Sequence, residues 1–282
     1  MSNGYAARPE GAVREYVGGM PVDLVDEDEV VRIMASAIVF RHRCRVVPIN
    51  VDGVVLAHRD YRFARILFAA TLVVPDGMPI VWVLRRRGRV VRRVTGVDLL
   101  ERVLREIPAR VVLIGGEPGI ANSVANLTSS QGWNSHVVGS FAPSRAEVVS
   151  NHLSSILVRS VRALRPDAVF VGFGSPLQEH WLNRFGDELG APLLMGVGAS
   201  FDFLAGSIPR APRTWQDNGF EWLYRMRQEP VRLGARYIAR DWRFFPLVWK
   251  YRQRPIPMAA DEAAPLLDEP WPIRGDEDQF LS

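Results

Sequence analysis

Residues 70–79, with the sequence ATLVVPDGMP, contain a short apolar run that ends at a carboxylate, Asp76. The β-favouring residues before Pro75 and Gly77 predict a buried strand of an α/β sheet, and the next helix should begin near Met78. Ligands of open α/β sheets bind outside the carboxyl ends of the strands, where Asp76 would lie. A carboxylate in that place can act as a general base. The alternative is that Asp76 only caps the following helix.

The succession of strand, glycine-containing loop and helix recurs along the chain. Further strands are predicted over residues 45–51, 110–114, 136–139, 167–171 and 192–195. Helices are predicted over residues 61–70, 97–107 and 145–164, and from about residue 120, whereas the first 25 residues give few signals. This repetition predicts a Rossmann-like, doubly wound and mostly parallel sheet, with a functional surface at one glycine-lined edge.

Polar or flexible residues follow several of these strands. Asn50 ends the strand over 45–51, in a position to face a ligand. Gly115 and Gly116 lie between a strand and a helix, and such a glycine loop lets the backbone approach a phosphate. Gln178 follows Ser175 at the spacing of a capping box. It is therefore either a helix cap or a substrate contact.

The composition limits the classes of function. Almost half of the residues, 48%, are hydrophobic, which is enough for a substantial core, and no run approaches the roughly 18 apolar residues of a membrane span. The single cysteine, Cys44, suits a reducing compartment and excludes a cysteine-rich zinc site. Asp26 and Asp28 have the spacing of a metal-binding pair. They also precede an amphipathic helix, and negative charge is favourable at that helix end.

The positive charge is concentrated near the carboxyl terminus. Residues 210–254 hold eleven basic and four acidic residues, although the net charge of the whole chain is only +4. Such a patch suits a diphosphate, an anionic lipid surface or nucleic acid. An arginine stripe with aromatic residues behind it, around residues 232–249, is either an interfacial membrane helix or a solvated face packed on a core. The predicted divisions are an α/β core over 1–206, a helical basic appendage over 207–257 and an acidic disordered tail over 258–282.

Two other classes of protein are compatible with parts of this pattern. A nicotinamide-dependent oxidoreductase would share the fold, but neither the glycines at 172–174 nor those at 196–198 complete the dinucleotide-binding fingerprint. A non-catalytic nucleic-acid or membrane-binding module would use the basic patch alone, and its binding would fall steeply with salt.

Six motifs, in order and over about residues 20–245, resemble the WecG/TagA/CpsF glycosyltransferase family. They are Asn50, Pro75-Asp76-Gly77, Arg93-Val94-Thr95-Gly96-Val97-Asp98 with Ile114-Gly115-Gly116, Gly172-Phe173-Gly174-Ser175-Pro176-Leu177-Gln178-Glu179, Arg210-Ala211-Pro212 and Glu221-Trp222-Leu223-Tyr224-Arg225. The resemblance implies an inverting, metal-independent transferase without a cofactor. It implies transfer of N-acetylmannosamine or a related hexose from a UDP-sugar to an undecaprenyl-diphosphate-linked saccharide, in cell-wall or exopolysaccharide biosynthesis.

The resemblance also implies roles for particular residues. Asp76 is expected to be the general base, and Asn50, Arg93 and Gln178 are expected to contact the substrates. The glycines Gly115, Gly116 and Gly174 are expected to line the same pocket. The diphosphate is expected to bind to Arg225, Arg232 and Arg236.

The expected partners are the UDP-sugar, the polyprenyl-diphosphate acceptor and a membrane surface that the appendage contacts, without nucleic acid. The expected place is the inner face of the bacterial plasma membrane, with peripheral attachment, and a homo-oligomer is compatible with the sequence. Pro48 stands where the family commonly has threonine. The donor hexose is therefore left open. The sequence does not specify the acceptor sugar, the linkage or the polymer either.

Overall fold

The computed structural model describes residues 12–212, 214–215, 224 and 241–257. The strands are β1 (Arg14–Val17), β2 (Met20–Asp23), β3 (Cys44–Ile49), β4 (Leu72–Pro75), β5 (Arg110–Gly115), β6 (His136–Phe141), β7 (Ala168–Gly172) and β8 (Leu193–Gly196). Within the described ranges the last six form one sheet in the order β4, β3, β8, β7, β5, β6, and all neighbouring strands are parallel. This confirms the predicted Rossmann-like α/β fold.

Helices cover both faces of this sheet. They are α1 (Glu27–Phe40), α2 (Val51–Ala57), α3 (Tyr61–Ala69), α4 (Met78–Arg86), α5 (Gly96–Glu106), α6 (Ile120–Ser130), α7 (Arg145–Val149), α8 (Asn151–Ala163), α9 (Leu177–Leu189), α10 (Ser200–Leu204) and α11 (Phe244–Tyr251). Val111 and Leu113 of β5 pack with α1, α5 and α6, whereas Val112 and Ile114 pack with α8 and α9. Because both faces are buried, the strands are continuous apolar runs.

The amino-terminal hairpin of β1 and β2 is a feature that the sequence interpretation missed. Its two-residue turn is Gly18-Gly19, and both glycines have positive φ angles, +57° and +84°. A glycine pair between two apolar residues was the available signal. The hairpin is joined to the sheet by Asp23, which binds Arg14 at 2.7 Å and accepts the Val73 N–H at 2.7 Å.

Two predicted element boundaries are wrong. The single helix over 145–164 is divided into α7 and α8 at Ser150, whose backbone is extended and whose hydroxyl accepts the Leu153 N–H at 3.3 Å. Serine offers the backbone this alternative hydrogen bond and so favours a helix start. The strand over 45–51 ends at Ile49, because Asn50 begins the unpredicted helix α2 by accepting the Gly53 N–H at 2.9 Å.

The described end of the predicted appendage packs on the core. Phe244 of α11 is fully buried against the layer formed by α2, α3 and α4. The Arg87 guanidinium donates to the Arg252 carbonyl at 2.5 Å and to the Tyr16 carbonyl at 2.7 Å. Helix α11 is thereby attached to β1 and α4. None of the helices in the described ranges is long and apolar enough to cross a bilayer.

Candidate active site

The carboxyl ends of β3 and β4 bring Asn50 and Asp76 side by side. The Asp76 N–H donates to the Ile49 carbonyl at 2.9 Å, which continues the pairing of the two strands by one residue. A Cβ atom on Gly77 would lie 3.2 Å from the Asn50 Cα, so the two loops touch through their backbones. Asn50 is exposed and Asp76 is partly exposed. A carboxylate and an amide therefore share one solvent-accessible place at the sheet edge.

The alternative of Asp76 as a helix cap is wrong. Helix α4 begins at Met78, and its N-cap is Gly77, which has no side chain to make a cap hydrogen bond. Pro79 lies in the first turn, where proline is tolerated because its missing N–H has no partner in the helix. The position of Asp76 is thus set by the end of β4.

The start of α5 forms the next part of this edge. The Val94 N–H donates to the Pro75 carbonyl at 3.0 Å, and a Cβ on Gly96 would lie 3.3 Å from the Pro48 Cγ. The loop before α5 is therefore held directly against the ends of β3 and β4. Arg93, which is partly exposed, lies in this loop, as the motif predicted.

Asp98 connects this loop to the beginning of the appendage. Its Oδ1 pairs with the Arg210 Nη1 at 2.6 Å, and its Oδ2 accepts the Thr95 hydroxyl at 2.5 Å. Burial alone would raise the pKa of Asp98, but the hydrogen bonds from Arg210 and Thr95, with the charges of Arg210 and Arg93, lower that pKa below its usual value of 3.8. Asp98 is therefore ionised at neutral pH. Sequence reasoning did not assign it a role.

The glycines at the ends of β5 and β7 allow these two strands to meet closely. A Cβ on Gly115, whose φ is +113°, would lie 2.5 Å from the Gly172 carbonyl oxygen. The Gly116 N–H donates to that same oxygen at 3.2 Å, so it is already used within the protein. Gly174 has a φ of +82°, and among the described residues no atom beyond its own chain neighbours lies within 4 Å of where its Cβ would be. Of these predicted pocket glycines, Gly174 offers the most open backbone.

Gln178 does not form the capping box that its spacing allowed. Helix α9 has Pro176 at its N-cap, without a side-chain cap hydrogen bond. The Gln178 Oε1 instead accepts the Gly198 N–H at 2.9 Å, and its Nε2 donates to the Glu179 Oε1 at 2.8 Å. Gln178 is only 5% exposed. It thus joins α9 to the loop after β8, at the same sheet edge as Asn50.

A partly buried histidine–aspartate pair also joins α9 to the core, and sequence reasoning missed it. The His180 Nε2 lies 2.5 Å from the Asp60 Oδ2, and Asp60 also accepts the Phe63 N–H at 2.9 Å as the N-cap of α3. Burial raises the pKa of Asp60, but the hydrogen bond and charge of His180 outweigh this and lower it overall. The pair fixes α3 against α9 near the site.

The remaining predictions concern metal and diphosphate. Asp26 caps α1 by accepting the Glu29 N–H at 2.8 Å, and Asp28 pairs with Arg102 at 2.6 Å, so both have structural roles. Over the described ranges no group of three or more His, Cys, Asp or Glu side chains is placed to hold a metal ion. Three predicted site residues, Arg225, Arg232 and Arg236, and the tail over 258–282 lie outside the described residues.

A comparison with protein families agrees with this geometry. The model of the Glycosyl transferase WecG/TagA/CpsF family matches residues 15–256, which include the ends of the strands, the Asp98–Arg210 pair and helix α11. The match covers most of the chain, and the resemblance that the six motifs suggested is confirmed. The protein belongs to the WecG/TagA/CpsF family of glycosyltransferases.

Proposed function

We propose that this glycosyltransferase of cell-wall polymer biosynthesis transfers N-acetylmannosamine or a related hexose from a UDP-sugar to an undecaprenyl-diphosphate-linked saccharide, with inversion. Its family already implies a nucleotide-sugar donor and an acceptor substrate. The observation that carries the finer proposal is the meeting of Asp76 and Asn50 at neighbouring strand ends, where the Asp76 N–H bonds the Ile49 carbonyl. This arrangement supplies one accessible carboxylate beside a hydrogen-bonding amide.

A single displacement requires one base and a cationic site for the leaving group. Asp76 takes the proton from the acceptor hydroxyl as its oxygen attacks the anomeric carbon, and the bond from that carbon to the UDP oxygen breaks. Arg225, Arg232 and Arg236 hold the diphosphate charge that develops on UDP, a role that arginine forks can fill without a metal. Arg93, in the loop beside Pro75, adds a further positive charge at the same edge.

The proposed sugar contacts of Asn50 and Gln178 use amide N–H groups that make no other hydrogen bond given above. Since the Asn50 Oδ1 caps α2, its amide N–H groups are the atoms left to meet a sugar hydroxyl. Gln178 likewise has one N–H beyond the one that it gives to Glu179. Gly174 gives the ligand close access to the backbone, whereas Gly115 and Gly116 set the shape of the adjoining wall.

The membrane surface is proposed to meet α11. Phe245 and Trp249, which are 67% and 75% exposed, are four residues apart and so lie on one face of α11. Trp242, in the 3-10 turn just before α11, is 55% exposed. Basic residues flank this face, namely Arg243, Lys250, Arg252 and Arg254. Exposed aromatic rings beside cationic side chains suit the interface of an anionic bilayer. The enzyme therefore binds peripherally at the inner face of the plasma membrane, where a lipid-linked acceptor is available.

A donor panel tests the reaction. The full chain is incubated with UDP-linked hexoses and a polyprenyl-diphosphate-linked saccharide, and released UDP is measured with and without EDTA. We expect release to depend on one UDP-sugar and on the acceptor, and to survive EDTA. Release from none of the UDP-sugars would contradict the proposed donor class. Loss with EDTA and rescue by Mg²⁺ or Mn²⁺ would contradict the metal-independent mechanism.

The membrane contact is tested by replacing two exposed rings of α11. The double variant Phe245→Ser with Trp249→Ser removes apolar area that is already exposed in the folded protein. We expect its partition to vesicles of anionic lipid to fall by about tenfold or more, without a lower melting temperature. The matched control is Leu153→Ser with Ile156→Ser, two residues of α8 that are each 41% exposed. Equal losses in both variants would contradict the assignment of α11 to the membrane.

A further inference from the structure

Glu179 is a buried acid that the proposed reaction does not use. It lies in the first turn of α9, directly after Gln178, and is only 3% exposed. One of its oxygens, Oε1, accepts the Gln178 amide at 2.8 Å. The other, Oε2, is fully buried and has no hydrogen-bond partner among the described residues. An ionised carboxylate in this setting is unfavourable, because burial removes its hydration and one oxygen stays unbonded.

The charged groups around α9 do not compensate for that burial. His180 follows on the same helix and engages Asp60 of α3, while Arg45 of β3 reaches the Leu182 carbonyl and Asn183 further along α9. Burial raises the pKa of Glu179, and the hydrogen bond from Gln178 with the charge of His180 opposes the rise only in part. The positive end of α9 favours a charge, but by less than the burial disfavours it. The neutral acid is therefore the stable form.

The bond from Gln178 to Glu179 fixes the orientation of an amide. A backbone N–H can only donate, so the Gly198 N–H identifies the Gln178 atom facing it as Oε1. Nε2 must then face Glu179. The amide lies directly against Gly196, where an added Cβ would be 2.6 Å from that Nε2. The orientation of Gln178 depends on two partners, and Glu179 is the one that a side-chain substitution can remove.

We propose that Glu179 is a positioning residue whose neutral carboxyl holds the Gln178 amide in one orientation. In that orientation Gln178 joins α9 to the loop after β8 and presents its second amide N–H to the donor sugar. The identity of that ligand rests on the proposed function. The hydrogen-bonded connection itself, from Gly198 through Gln178 to Glu179, does not.

The first test compares substitutions that keep or remove the acceptor. Glu179→Gln keeps a neutral oxygen for Gln178, whereas Glu179→Leu fills the space without one. We expect Glu179→Gln to keep the donor KM and kcat within about twofold. Glu179→Leu should raise the donor KM by about tenfold with a smaller change in kcat, because one hydrogen bond that orients a ligand contact is lost. Glu188→Gln is the control, since Glu188 lies on α9 with a side chain that is 53% exposed.

Two results of this test would overturn the proposal. A donor KM unchanged in Glu179→Leu would show that only packing is needed at this position. A loss in Glu179→Gln as large as that in Glu179→Leu would show that the negative charge is needed. The donor is whichever sugar nucleotide supports turnover, so an error in the proposed hexose does not affect the comparison.

The second test needs no substrate and follows thermal unfolding of the wild type and Glu179→Gln with pH. The folded pKa of Glu179 is raised above the usual 4.5, so above that pH the unfolded chain releases a proton that the folded chain retains. This lowers the stability of the wild type as pH rises, but it cannot affect the glutamine variant. We expect the melting temperature of Glu179→Gln, relative to the wild type, to increase between about pH 5 and 8. A constant or decreasing difference would show an ionised Glu179 and would overturn the proposal even if the transferase activity were as proposed.

Discussion

The two ends of the parallel sheet use charged residues in different ways. At the amino ends of the strands, Arg41 pairs with Asp167 at 2.9 Å and Arg43 pairs with Asp187 at 3.0 Å. Asp167 also accepts the Arg110 N–H at 2.9 Å, which joins three segments of the chain. At the carboxyl ends, Asn50 is exposed to solvent and Asp76 is partly exposed. The ion pairs of the amino edge fasten the fold, whereas the carboxyl edge is the one that we propose binds the substrates.

A cavity also lies at the sheet edge opposite the proposed active site. A cavity at the amino edge is lined by Arg41, Arg43, Cys44 and Pro192 among others. Both arginines already have carboxylate partners, and burial raises the pKa of Cys44 to about 12, so the thiol is not a nucleophile near neutral pH. The chemistry of the side chains therefore separates the two edges better than their shape does.

The largest loss of turnover is expected from Asp76→Asn, at the carboxyl edge. This change keeps the shape of the side chain and the backbone bond to Ile49 but removes the proposed base. We expect kcat to fall by about 10²–10⁴, the usual contribution of general-base catalysis, with an unchanged melting temperature. Turnover is measured as released UDP with the full lipid-linked acceptor. Wild-type turnover in this variant would mean that another group accepts the proton.

A smaller effect, on stability, is expected from a change at Asp98, which lies at the carboxyl edge but forms an ion pair with Arg210. Asp98→Asn removes the charge that pairs with Arg210, and we expect the free energy of unfolding to fall by about 1–3 kcal/mol at pH 7. Since the folded pKa of Asp98 is lowered, this stabilisation is complete above about pH 3.8 and disappears as pH falls through the folded pKa. Chemical denaturation at several pH values measures it.

The control for this variant is Asp28→Asn, because Asp28 also pairs with an arginine but has a side chain that is 78% exposed. An exposed pair should contribute below about 1 kcal/mol. If the two variants lost equal stability, or if the loss in Asp98→Asn did not change in acid, the partly buried pair with Arg210 would not be the cause.

The smallest effect is expected from Asp187→Asn at the amino edge. Its partner Arg43 is 45% exposed and Asp187 itself is 33% exposed, so the pair should contribute about 0–1 kcal/mol. We expect unchanged kcat and donor KM, together with a small shift in the denaturation midpoint. A large loss of turnover in this variant would remove the distinction between the two edges.

The sequence predicted the elements more reliably than the contacts at their ends. The strands that precede Asn50 and Asp76 were found, although the end of the first was placed two residues too late, because apolar runs between Pro, Gly and Asn are a local signal. The division at Ser150 was missed because a serine within an amphipathic pattern has two competing local structures. The hairpin at Gly18-Gly19 was missed although its turn signal was present, because its strands are only four residues long.

The sequence by itself determined the fold class, the family and the residues that follow each strand, because periodicity and motif order are properties of the chain. Tertiary structure decided which of those residues lie together and which hydrogen bonds they make. In the folded protein the N-cap of α4 is Gly77, so Asp76 does not cap that helix. Gln178 is buried beside Glu179 and bonds it. The physical reason is that burial and hydrogen-bond partners come from segments far apart in the chain, such as Gly198 for Gln178, and no local pattern specifies them.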